Sequence, residues 1–109
     1  MTLASVTVEP IRDDAVRITV SGEIDLANSA AVERQILDAI PNRLDEVVLD
    51  LSGLDYIDSA GLRLLFTLGM RLRTLQIAVV LVVPEDSPVR RMIDIAGVAE
   101  AMSVRSTPP

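Results

Sequence analysis

The residues best placed to do chemistry lie in one stretch, Leu49-Asp50-Leu51-Ser52-Gly53-Leu54-Asp55-Tyr56-Ile57-Asp58-Ser59-Ala60-Gly61-Leu62. It leaves an apolar strand, crosses a polar turn and sets Ser59 on the first turn of the helix that follows. A hydroxyl there lies beside backbone N–H groups without helical partners and at the positive end of the helix dipole. Two chemistries suit that position. Ser59 can accept a phosphoryl group, because free donors and the dipole favour a dianion; or Ser59 and Asp58 act only as helix caps, the common use of both residue types. Position alone leaves both open. Nucleophilic catalysis by Ser59 would need a neighbouring base and a strained turn, yet the chain has no histidine, and Ile57-Asp58-Ser59-Ala60-Gly61 is not a Gly-x-Ser-x-Gly elbow.

Composition narrows the choice further. The chain has 109 residues, 50% of them apolar and 2% aromatic, with no cysteine and no histidine, so zinc sites, iron–sulfur clusters, Cys-His catalysis and disulfide staples are excluded. All ten bases are arginine, which removes Schiff-base chemistry and the P-loop lysine. Sixteen acids give a net charge of −6. That acidity, without stacking aromatics, speaks against nucleic acid as a partner and for a protein. The longest apolar run, Ile77 to Val83, is far too short to cross a bilayer, and Met1-Thr2-Leu3-Ala4-Ser5 carries no basic leader. The expected setting is the cytoplasm, with no membrane partner.

The elements that position Ser59 follow from periodicity. Val6 and Val8, then Val16, Ile18 and Val20, alternate on either side of Arg12-Asp13-Asp14, which predicts a β-hairpin. Val32, Ile36, Ala39 and Ile40 predict a first helix over Ser29 to Ile40, with Asn28 or Ser29 as its cap. The continuous runs Val47–Leu51 and Ile77–Val83 read as strands covered on both faces, and the helix between them implies a parallel crossover. Ser87-Pro88 predicts the start of a third helix and Gly97 its end. The predicted fold class is α/β: one domain over 1–109, ordered ββαβαβα, with about four strands in a mixed sheet, helices packed on it, and a tail frayed over 103–109.

Three collinear stretches resemble the STAS-domain anti-sigma factor antagonists of bacterial signalling. They are Ser21-Gly22-Glu23-Ile24-Asp25 through Ala30, Val48-Leu49-Asp50-Leu51-Ser52 through Ile57-Asp58-Ser59-Ala60-Gly61-Leu62, and Val89-Arg90-Arg91-Met92-Ile93-Asp94-Ile95-Ala96-Gly97. The resemblance implies a non-enzymatic partner switch in transcription regulation. Ser59 matches the serine phosphorylated by an anti-sigma factor that is itself a serine kinase; Mg-ATP belongs to that kinase and this chain needs no cofactor. The unmodified protein would capture the anti-sigma factor, phosphorylation would release it, and a serine phosphatase would reverse the mark. Asp25 and Asn28 match a loop beside the serine, and Asp58 matches the residue before it, as partner contacts. The sequence departs from the family pattern where Ala60 follows the serine, where Thr74-Leu75-Gln76 replaces a Gly-Gly turn, and where no aromatic occurs around Ala99-Glu100-Ala101-Met102. A STAS interaction module in another signalling assembly, without phosphorylation, is the alternative.

A helical wheel over the residues after Ser59 places Leu62, Leu65, Phe66, Gly69 and Leu72 inward, with Gly69 allowing close approach to the sheet. It leaves Ala60, Arg63, Leu64, Thr67 and Arg71 outward. Leu64 on an otherwise polar stripe suggests a docking surface with Ala60, Arg63 and Thr67, set against the reading of an ordinary solvated face. Two other classes fit less well. A response-regulator receiver could use Asp50 but needs an acidic pair and a late lysine. An acyl carrier protein is likewise small and acidic and carries its prosthetic group on an Asp-Ser-Leu at a helix start, where this chain has Asp58-Ser59-Ala60, but it is all-helical.

Overall fold

The computed structural model describes residues 2–41 and 43–109. Met1 and Asn42 of the expected 1–109 domain lie outside the described residues. The alternating valines form the hairpin β1 (Ala4–Arg12) and β2 (Ala15–Ile24), paired antiparallel with Val6 opposite Val20 and Val8 opposite Ile18. A first helix, α1 (Ser29–Asp38), buries Val32 and Ile36 and ends two residues before Ile40. Strand β3 (Glu46–Asp50) then runs parallel to the first half of β2.

Next comes a strand absent from the sequence reading, β4 (Leu54–Ile57), which runs parallel to the far end of β2. The ten-residue β2 is therefore shared: Ala15–Thr19 pair with β3, and Gly22–Ile24 with β4. Helix α2 (Ser59–Thr74) leads into β5 (Ala78–Val82), parallel to β3. Helix α3 (Arg90–Ala96) ends at Gly97, whose φ of 77° supplies the left-handed closing residue, and a short 3-10 turn (Val98–Glu100) follows.

The sheet has six strands in the order β1-β2-β3-β5-β6, with β4 flanking β2. Two strands more than expected come from β4 and from β6 (Ser103–Arg105), which pairs parallel with β5 inside the segment expected to fray. Each is four residues or fewer, below the length at which alternation is visible.

The core lies between the sheet and the helices, centred on Ile18, Val20, Ile24, Leu49, Leu54, Leu65, Leu81 and Ile93, all 2% exposed or less. A smaller set, Val48, Val80 and Val82, is buried apart from it. Helix α3 starts at Arg90, not at Pro88, because Ser87 is spent on a turn. Its Oγ accepts from Val89 N–H at 3.3 Å and its carbonyl from Arg90 N–H at 3.1 Å.

Candidate functional site

Pairing with β4 carries the chain back to the end of β2. There Asp58 N–H donates to the Ile24 carbonyl at 3.2 Å, which docks the start of α2 beside the β2–α1 loop. Asp58 then does two jobs. Its Oδ1 accepts from Ala60 N–H at 2.9 Å and Gly61 N–H at 3.1 Å, capping α2, while its Oδ2 accepts from Leu26 N–H at 3.1 Å. Gly61 is required beneath this junction: a Cβ would stand 2.5 Å from Ile57 Cγ1 and 3.1 Å from Ile24 Cγ2.

The facing loop is closed by its own polar groups. Asp25 N–H donates to Asn28 Oδ1 at 2.9 Å, and Asn28 Nδ2 donates to the Glu23 carbonyl at 2.8 Å. Asn28 thus stands at the cap position of α1 but spends its side chain bracing the loop behind it. The Asp25 carboxylate accepts from Ala27 N–H at 2.8 Å and from the Thr2 hydroxyl at 2.5 Å. These bonds to the ionised form, the Thr2 hydroxyl foremost, hold Asp25 below the usual carboxylate range against a smaller opposing effect of desolvation.

Ser59 sits exposed on the rim of this junction. Sequence position suggested open N–H donors around its hydroxyl, but Asp58 already occupies those of Ala60 and Gly61. A phosphate on Ser59 would therefore meet a carboxylate at the helix end in place of empty donors, and the two anions would compete for the same N–H groups.

Ser59 lines one depression and adjoins a second through its neighbour Ala60. On one side a groove of about 190 Å³ between α1 and α2 is lined by Leu26, Ser29, Glu33, Ala60, Arg63, Leu64 and Thr67. On the other, a depression of about 370 Å³ lies between β4 and the start of α3, bounded by Tyr56, Ser59, Pro88 and Met92. Ala60, Arg63, Leu64 and Thr67 thus line one groove, Asp58 lines the other depression beside Ser59, and Asp25 and Asn28 line neither.

Leu64 is corrected in one respect. It is 4% exposed and belongs to the core, as does Leu68 at 2%, so it floors the groove and does not project from it. Leu62 and Phe66, placed inward by the wheel, are half-buried at the core margin. The apolar arc of α2 spans more than one face because the helix packs against both α1 and the sheet, and a wheel cannot choose the centre of so wide an arc. Gly69 does allow close approach, but to Met102: a Cβ would lie 2.7 Å from its Cε. The sequence reading also missed three exposed side chains around Ser59, namely Leu26 at 80%, Tyr56 at 50% and Met92 at 43%. An apolar residue in a polar loop, Leu26 between Asp25 and Ala27, was the available signal.

Comparison with known proteins places this geometry. A family model described as the STAS domain matches residues 7–108. A putative anti-sigma factor antagonist, BtrV, of Bordetella bronchiseptica is 38% identical over 77 residues, covering 70% of this chain and 65% of its own, so the chain spans just under two thirds of that relative. The anti-sigma-F factor antagonist RsfB of Mycobacterium tuberculosis is 30% identical over 90 residues, covering 83% of this chain and 72% of its own. Among solved structures, the anti-sigma factor antagonist SpoIIAA matches in its unphosphorylated form at 20% identity and TM-score 0.72, covering 94% of this chain and 89% of its own. SpoIIAA from Bacillus in its phosphorylated form matches at 19% identity and TM-score 0.64, covering 94% and 92%. At those identities the structural likeness establishes the fold.

Proposed function

The chain belongs to the STAS domain family, and from that footing we propose that it is an anti-sigma factor antagonist, a binding protein and not an enzyme, whose grip on an anti-sigma factor is controlled at Ser59. The observation that carries the reading is the exposed Ser59 at the capped start of α2, lining one depression and adjoining, through Ala60, the groove between α1 and α2. Two relatives named as antagonists of this kind support the partner class. A protein of the same fold has been solved both with and without phosphate.

In the active state the partner lies across Ser59, with Leu26, Arg63 and Thr67 on one flank and Tyr56 and Met92 on the other. The anti-sigma factor acts as a serine kinase: it transfers the terminal phosphoryl group of its Mg-ATP to Ser59 Oγ, releasing ADP. About −1.5 to −2 charges then stand beside the Asp58 carboxylate, whose preferred N–H donors are taken. A partner surface shaped for a neutral hydroxyl faces two adjacent anions and loses affinity by repulsion and desolvation. A hundredfold loss needs only about 2.7 kcal/mol, so no refolding is required. A serine phosphatase restores the hydroxyl.

The test is direct. Wild type and Ser59→Ala are incubated with candidate anti-sigma kinases and Mg-ATP, intact masses are recorded, and kinase capture is compared for wild type, Ser59→Ala and Ser59→Glu. One phosphoryl group on wild type, none on Ser59→Ala, and weak capture by Ser59→Glu are expected. A regulator captured equally by all three, with no phosphate gained, would establish the phosphorylation-independent module in its place.

A further inference from the structure

Strand β1 is one edge of the sheet, and its free side is determined by a single bond. Glu23 N–H donates to the Leu3 carbonyl at 2.9 Å. With Ala4 opposite Gly22, this makes Leu3 and Glu23 a hydrogen-bonded pair. In an antiparallel ladder such pairs recur every second residue, so Ser5, Thr7 and Glu9 direct their backbone groups to β2. Ala4, Val6 and Val8 direct theirs outward. None of those outward groups has a backbone partner beyond the β1–β2 ladder among the described residues.

Open edges are usually blunted by proline, charge or a bulge. Here Pro10, Arg12 and the register shift between them guard only the far end. The half running Ala4-Ser5-Val6-Thr7-Val8 carries no charge and no proline, and Val8 is 44% exposed although its neighbour Ile18 is fully buried. The apolar layer on the helix side of the sheet is thus left uncovered at its rim.

We propose that this edge pairs antiparallel with the same edge of a second copy of the chain, about a two-fold axis at Thr7. Because only even-numbered residues bond outward, three centred registers are available. With the axis at Thr7, Val6 faces Val8 of the second copy, Ser5 faces Glu9, Ala4 faces Pro10 at the end of the ladder, and exposed Leu3 faces toward exposed Ile11. No like charges meet. Glu9 is already paired with Arg17 at 3.3 Å, so it brings no uncompensated charge. Shifting the axis to Val6 sets Leu3 against Glu9; shifting it to Val8 sets Ser5 against Ile11 and moves Pro10, which has no N–H to give, from the end of the ladder to a place opposite Val6. The Thr7 register alone sets apolar residues against apolar and polar against polar along its whole length. It would join the two sheets into one and continue the core layer from Val8 across to the second copy's Val6.

The absence of cysteine from the chain makes the register testable. Thr7 pairs with its own copy at a non-hydrogen-bonded position, where Cα atoms lie about 4.5 Å apart, within disulfide reach. The two Ser5 residues would be four positions apart, roughly 14 Å at about 3.4 Å per residue, beyond reach. Wild type at about 100 μM, well above a micromolar dissociation constant, should give the mass of two chains by light scattering, and Val8→Lys the mass of one. Under mild oxidation Thr7→Cys should cross-link and Ser5→Cys should not. A single-chain mass for wild type, a two-chain mass for Val8→Lys, or equal cross-linking of the two cysteine variants would overturn the proposal. Should Val8→Lys fail to fold, the cysteine pair decides alone.

Discussion

Asp58 Oδ2 accepts the Leu26 N–H at 3.1 Å, tying the start of α2 to a loop thirty-two residues earlier in the chain. The same carboxylate caps α2 through its other oxygen, so one side chain sets the relative position of the two elements that flank Ser59. The two duties are separable by mutation. Asp58→Asn keeps an acceptor for the helix N–H groups but turns an NH2 toward Leu26. Amide exchange should accelerate at Leu26 while Ala60 and Gly61 stay protected. Asp58→Ala should expose all three and cost about 1 kcal/mol of unfolding free energy in urea, the usual worth of a cap.

Ser59 itself contributes little to stability. As an exposed residue it should tolerate Ser59→Ala and Ser59→Glu with unfolding free energies within about 0.5 kcal/mol of wild type. Any loss of partner binding by Ser59→Glu measured by calorimetry is then a surface effect.

Leu64 and Thr67 line the same groove yet should respond very differently. Leu64→Ala removes a side chain packed in the core and should cost about 2–5 kcal/mol in denaturant unfolding. Thr67→Ala, exposed, should leave stability nearly unchanged and report only on binding.

Gln76 holds a φ of 60°, in the left-handed region that glycine adopts freely. It occupies the turn where the sequence replaces the family's Gly-Gly. Gln76→Gly should raise stability by up to about 1 kcal/mol, seen as a higher urea midpoint with unchanged slope, since strain relief outweighs the added freedom of the unfolded chain.

The Asp25 carboxyl titrates below its ordinary value because the Thr2 hydroxyl and the loop N–H groups bond its ionised form. A carboxyl depressed on folding adds stability above its unfolded pKa, and that stability drains away as pH falls through the folded value. Thr2→Val should move the Asp25 titration, followed by carboxyl carbon NMR, back up toward the ordinary range, with loop amides 26–28 exchanging faster at acidic pH.

Most of the architecture was legible because long apolar patterns are hard to mistake. The alternation of β2, the covered runs of β3 and β5 and the span of α2 all appear in the sequence. What escaped was short or shared. β4 and β6 have too few residues to show a period, and Leu64 was placed outward because α2 buries a wider arc than one face. Ala60, Arg63, Leu64 and Thr67 share one groove, as the sequence suggests, because helical spacing fixes neighbours regardless of which way the helix turns. Leu26 and Tyr56 could not be found that way, since their proximity to Ser59 depends on β4 returning to the end of β2.

That shared use of β2 has a kinetic meaning. The hairpin can close from local sequence, but its last three residues find their parallel neighbours only after the chain has travelled through α1, β3 and the turn beyond. Docking of the α2 cap against the Asp25–Asn28 loop therefore waits for a loop closure of thirty-two residues, about the span that pairs β2 with β3 and β3 with β5. A chain that had closed only the hairpin would hold the groove flank out of place, so the surface around Ser59 belongs to the tertiary assembly and to no local segment.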